Sequence, residues 1–282
     1  MDHSDKPGKS ERQDMIENSY NNYSHLDIPE VLRGLFQPRP EYDPDKKPAG
    51  AIDLLIPVEG DTVVAGRFHV TDRSAPNILF FHGNGEIVSD YDALGPLYNR
   101  MGMNFLAMDY RGYGRSTGRP TITAMMKDCH TIFEFMEGWL TDNGYTGAFI
   151  VMGRSLGSAS ALELANRYME RIDGLVVESG FADTGPLLEL FGVDTSAMGF
   201  TEENGLRNLD KIRTWAKPTL VIHAEFDHII PFSDGRALYN ACPSSEKTFL
   251  KIPNANHNDI FMRGLNAYMK AVKTLSERLG SR

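Results

Sequence analysis

Six short apolar runs, NILFFH, NFLAMDY, AFIVMG, GLVVES, PTLVIHA and KTFLKIP, recur between residues 77 and 253, and helical patterns separate most of them. Runs of this length suit strands buried on both faces of a parallel sheet. Between them, Ile122, Met125, Cys129, Ile132, Met136 and Trp139 fall on one helical stripe. Phe261, Leu265, Tyr268, Val272, Leu275 and Leu279 form another. Such stripes are core faces that cover a sheet. Strands alternating with helices imply right-handed crossovers and one α/β domain with helices on both faces. Ahead of them, Ala51 to Val58 and Thr62 to Val70 flank an EGD turn and predict an antiparallel hairpin. The total is about eight strands.

The rest of the chain divides around that domain, expected over residues 51–282. Residues 1–24 are polar and read as a mobile tail. Residues 25–50 read as a short helix and a proline-broken linker, with Asp27 as the helix cap and Pro29 in the first turn. A small lid is expected within about 180–216, between GLVVES and PTLVIHA. No apolar core of a signal peptide opens the chain, and no run is long enough to span a bilayer. The formal charge of −9 argues against a nucleic-acid partner, because phosphate binding needs a basic face. The two cysteines, Cys129 and Cys242, suggest a reducing compartment without a disulfide framework. A cytoplasmic location is the plain expectation. No histidine and carboxylate trio has zinc spacing, and no cofactor is called for.

The chemistry is concentrated in Gly153-Arg154-Ser155-Leu156-Gly157, which follows AFIVMG and precedes the helical SASALELANRYM. A serine on a sharp strand-to-helix turn is forced into a sparsely allowed backbone conformation. Strand and helix approach so closely there that the flanking positions need glycine. A serine hydroxyl is a weak nucleophile, so it needs an imidazole base, and the imidazole needs a carboxylate behind it. His257 in PNANHND and Asp227 in HAEFDHIIP follow late strands and reach the same sheet edge. Glu178, at the end of GLVVES, is the alternative acid. His228 reads as a pocket-rim residue, and Asp109 as a brace for the DYRGYG turn. His69, His130 and His223 read as structural.

A carbonyl attacked by Ser155 becomes an oxyanion and requires preorganised N–H groups. Leu156, directly after the serine, and Asn84, in the HGNG turn after NILFF, are the expected donors, with Gly85 as the reserve for Asn84. Leu187, Phe191, Met198 and Phe200 in the lid, with His228 and Ile229 beside Asp227, are the expected lining of an acyl pocket. Packing of the lid on the domain explains the same apolar residues equally well.

Taken in order, FFHGNGE, MDYRGYGRSTGRPT, VMGRSLGSASA, EFDHIIP and NANHND resemble the BEM46-like branch of the α/β-hydrolases, which includes ABHD13-like and ABHD17-like serine hydrolases. The resemblance runs from about Ile52 to the C-terminus. It implies Ser155 as nucleophile, Asp227 as acid and His257 as base. Some members of that group deacylate protein cysteines and others are orphan esterases. The tail lacks the lipidated cysteines of the ABHD17-like proteins, and no membrane anchor like that of the ABHD13-like proteins is expected from it. His228 stands where relatives often carry an acidic residue. The expected activity is hydrolysis of esters or thioesters of small-molecule or acyl substrates. A peptidase or amidase of the same fold, and a ligand-binding protein without turnover, are the alternatives. A dehalogenase would want a carboxylate in place of Ser155.

Overall fold

A computed structural model describes residues 23–43 and 46–279. The expected tail therefore lies, up to residue 22, outside the described residues. Eight strands form one sheet: β1 (Ala51–Glu59), β2 (Thr62–His69), β3 (Asn77–Phe81), β4 (Asn104–Met108), β5 (Phe149–Arg154), β6 (Gly174–Glu178), β7 (Thr219–Ala224) and β8 (Lys247–Ile252). The helices are α1 (Pro29–Leu35), α2 (Gly95–Arg100), α3 (Ile122–Asp142), α4 (Gly157–Arg167), α5 (Thr184–Leu190), α6 (Asn208–Ile212), α7 (Phe232–Ala241) and α8 (Ile260–Glu277).

The strand order is β1-β2-β4-β3-β5-β6-β7-β8. β1 pairs antiparallel with β2, and β2 with β4; every later pairing is parallel. The α/β reading of the sequence therefore holds, including the antiparallel hairpin. Strands β3 to β7 are buried throughout, which is why their sequences run apolar without alternation. Two apolar clusters cover the two faces of the sheet. One joins Leu79, Phe81 and Val151 to the α3 stripe, and the other joins Phe80, Ile150 and Val176 to Tyr268, Val272 and Leu275 of α8.

One capping assignment is corrected by the structure. The helix α1 starts at Pro29 with Ile28 at its N-cap and no side-chain cap. The Asp27 carboxylate instead accepts the Ile122 and Thr123 N–H groups at 2.8 and 3.2 Å. Those orphan amides open the 21-residue α3, where a negative charge is favourable. Local sequence cannot distinguish a carboxylate capping its own helix from one capping a helix 95 residues away.

The start of the described chain is also tied down by buried charge. Lys211 of α6 meets Glu163 of α4 at 2.7 Å and the Tyr23 hydroxyl at 3.2 Å. His130 contacts the other Glu163 oxygen at 3.2 Å. Burial opposes ionisation of Glu163, but Lys211 and His130 outweigh it and lower its pKa to about 2.

Two outcomes are expected from this packing. A Cβ on Gly157 would lie 2.1 Å from the Phe81 carbonyl oxygen, and neither backbone has room to retreat. Gly157→Ala should cost about 3 kcal/mol or more, read from urea unfolding. His69 is 2% exposed, and burial, aided by the Arg67 charge, lowers its pKa from 6.5 to about 4. The unfolded chain thus binds more protons between those values, so the stability due to neutral His69 is present above pH 6.5 and lost as pH falls toward 4. This amounts to about 3 kcal/mol at most, and His69→Phe should flatten that part of the stability profile.

Candidate active site

The turn from β5 into α4 carries Ser155 at φ +51°, a left-handed conformation that a side-chain-bearing residue adopts only under constraint. Two contacts enforce it. A Cβ on Gly153 would lie 2.2 Å from the Gly157 carbonyl oxygen, so the turn closes only on glycine. The Ser155 N–H is held by the Glu178 carbonyl at 2.9 Å. Small residues continue into α4, where Ser158, Ala159 and Ala161 are fully buried.

The loops after β7 and β8 bring an acid and a base to this serine. The Nδ1–H of His257 donates to Oδ2 of Asp227 at 2.8 Å, because a carboxylate only accepts. That leaves Nε2 to accept the Ser155 hydroxyl at 3.1 Å. Oδ1 of Asp227 accepts the Ile229 and Ile230 amides at 3.0 and 2.8 Å. Burial opposes ionisation of Asp227, but His257 and these amides together hold its pKa below the ordinary carboxylate value. Ser155, Asp227 and His257 thus stand in hydrogen-bonded series although they are far apart in sequence.

The competing residues have other partners. Oε1 of Glu178 accepts Arg154 Nε at 3.0 Å, and Oε2 accepts the Tyr268 hydroxyl at 2.7 Å. His223 lies behind Asp227, donates Nε2–H to the Ile230 carbonyl at 2.9 Å, and is pushed down in pKa by burial. Asp109 accepts the Val88 N–H at 2.9 Å and contacts His82 Nε2 at 3.2 Å. It also packs so tightly on Gly114 that a Cβ there would lie 2.1 Å from Oδ2, so it braces both the HGNG and DYRGYG turns.

Of the expected oxyanion donors, Leu156 sits at the N-cap of α4, directly after Ser155. The Asn84 side chain anchors its loop: Oδ1 accepts Gln37 N–H at 2.7 Å and the Tyr113 hydroxyl at 2.9 Å, while Nδ2 donates to the Gly34 carbonyl at 3.2 Å.

Of the expected pocket residues, Leu187 is buried in the core cluster beside Leu188. Met198 and Phe200 are half-buried and pack on the same core. Phe191 is 37% exposed and lies against Gly34 of α1, where an added Cβ would meet the Phe191 Cβ at 2.5 Å. His228 is exposed and Ile229 half-buried, directly after the acid. The segment is fixed in part by Glu202, whose carboxylate accepts Thr184 and Gly185 N–H at 2.9 and 2.6 Å at the start of α5. Among the described residues, no helix is long and apolar enough to cross a membrane, and no group of three or more His, Cys, Asp or Glu is placed to hold a metal ion.

Sequence reasoning missed Arg154 and Glu86. The Arg154 guanidinium reaches Glu178, Glu86 and the His257 carbonyl. An arginine at the end of a wholly buried strand was the available signal, since such a charge requires partners.

Comparison with known proteins bears on the family and the fold. Residues 72–191 match the family described as serine aminopeptidase, S33, a hydrolase family. The protein bem46 of Schizosaccharomyces pombe is 30% identical over 196 residues, covering 66% of this chain and 63% of that protein. The α/β-hydrolase domain-containing protein 17C of Homo sapiens is 31% identical over 201 residues, covering 67% and 56%. The lysophosphatidylserine lipase ABHD12 of Xenopus tropicalis is 32% identical over 188 residues, covering 61% and 48%. The matched stretch thus spans about half to under two thirds of these relatives' own length. Among solved structures, an esterase of Pyrococcus furiosus superposes with a TM-score of 0.66 at 17% identity, covering 81% of this chain and 92% of that one. A monoacylglycerol lipase of Paleococcus ferrophilus does so with 0.60 at 18%, covering 77% and 99%. These two likenesses show the fold. The chain belongs to the α/β-hydrolases. Within them, its sequence similarity is to the BEM46-like branch.

Proposed function

We propose that this hydrolase cleaves carboxylic esters or thioesters through an acyl-serine intermediate. One observation carries the reading: a single imidazole bridges the Ser155 hydroxyl and the Asp227 carboxylate, at 3.1 and 2.8 Å. In that arrangement Nε2 is free to take the serine proton, and Asp227 holds the tautomer that makes it so. Ser155 Oγ attacks the carbonyl carbon, the proton passes to His257, and His257 returns it to the departing alcohol or thiol. Water then attacks the acyl-serine, with the same imidazole as base. The N–H groups of Leu156 and Asn84 are assigned to the developing oxyanion, a contribution of a few kcal/mol to each step.

Lipid-like acyl substrates are favoured by the relative whose name is that of a lysophosphatidylserine lipase. The second reading, a peptidase or amidase, is favoured by the aminopeptidase description of the matching family. Turnover of matched p-nitrophenyl esters, thioesters and aminoacyl amides separates them: esters or thioesters should be cleaved far faster, and preferential amide cleavage would reverse the assignment.

Two variants test the chemistry. Ser155→Ala should lower turnover by about four orders of magnitude or more. Asp227→Asn, which leaves the site's shape but favours the wrong imidazole tautomer, should lower kcat about 10⁴-fold. Near-normal turnover in Ser155→Ala would assign the nucleophile elsewhere.

A further inference from the structure

Arg154 is the variable residue of the Gly-x-Ser-x-Gly turn, yet its side chain is only 7% exposed. Its three nitrogens address two loops and the end of β6. Nε donates to Glu178 Oε1 at 3.0 Å, Nη1 to Glu86 Oε1 at 2.5 Å, and Nη2 to the His257 carbonyl at 2.7 Å. Each acceptor is itself committed. The second oxygen of Glu86 accepts Gly83 N–H at 2.7 Å and the Tyr91 hydroxyl at 2.6 Å, fixing the HGNG loop. The guanidinium lies so close to that loop that a Cβ on Gly83 would meet Nη1 at 2.8 Å. The second oxygen of Glu178 accepts the Tyr268 hydroxyl, which anchors the base of α8 behind the His257 loop.

We propose that Arg154 is a positioning residue that locks the His257 loop to the HGNG loop across the nucleophile, and that it sets the charge felt by the base. The proposal rests on the serine-hydrolase reading above. No other group described joins the loops after β3 and β8 to the end of β6 through one rigid plane, and a planar five-donor fork suits three diverging acceptors where an ammonium does not. His257 faces Ser155 through Nε2 and Asp227 through Nδ1, with His223 behind Asp227 and the Glu178 carboxylate within electrostatic reach. Beside it, a half-buried carboxylate, Glu86, and a fully buried one, Glu178, are offset by one guanidinium. Burial opposes ionisation of Glu86, and Arg154 is the first of the influences that lower its pKa. Removing the guanidinium leaves uncompensated negative charge beside the His257 loop.

Arg154→Lys keeps a charge but loses the fork, whereas Arg154→Met loses both. With p-nitrophenyl butyrate as substrate and the full chain, Arg154→Lys should lower kcat about 10- to 100-fold with KM within about threefold, because the base is misplaced rather than the substrate released. Arg154→Met, which removes the charge as well as the fork, should lower kcat further than Arg154→Lys. Glu86→Gln, which breaks the lock from the other side, should show the kcat defect of Arg154→Lys, and the double variant should be little worse than either single one, as for two parts of one unit. If Arg154→Met does not fold, Arg154→Lys and Glu86→Gln decide. Folded Arg154→Lys with wild-type kcat and wild-type labelling by a fluorophosphonate would overturn the positioning role alone. Wild-type protein that neither turns over nor labels at Ser155 would overturn the hydrolase reading, and this role with it.

Discussion

Backbone meets backbone where α4 leaves β5 and crosses the end of β3, and the arrangement of the site depends on that contact. Gly157 stands so near the Phe81 carbonyl that no side chain fits, and Gly153 is as close to the Gly157 carbonyl. The turn between these two glycines has no slack, so Ser155 is held at positive φ. Unfavourable local geometry of this kind persists only where surrounding packing over-determines it. Here that packing is a sheet whose central strands are buried along their whole length. The strain and the core are therefore one feature seen at two scales.

The same logic explains what could be read before any coordinates. Buried strands leave uninterrupted apolar runs, so the sheet and its hairpin were legible. The elbow glycines and the order serine, acid, histidine left local marks as well, and Asp227 could be preferred to Glu178 because it follows a later strand. Contacts that depend on tertiary neighbours left none. Asp27 carries the local mark of a cap, yet caps a helix far along the chain. Arg154 and Glu178 are 24 residues apart and become neighbours only because β5 and β6 pair in that register. Apolar residues between Gly180 and Trp215 gave no means of telling core from pocket, since both uses require the same side chains; Leu187 packs in the core cluster.

Charge is buried in this protein by pairing it. Lys211 with Glu163, and Arg154 with Glu86 and Glu178, lie where lone ions would be strongly disfavoured. Each group joins elements that the apolar clusters alone would not bring into register. The first secures Tyr23 to α4 and α6; the second gathers loops around Ser155.

The Asn84 side chain grips the chain at Gly34 and Gln37, with Tyr113 as a third point of hold. A loop at the heart of the molecule is therefore buttressed by a segment that precedes the sheet altogether. Residues 34–37 therefore share in holding the HGNG turn in place.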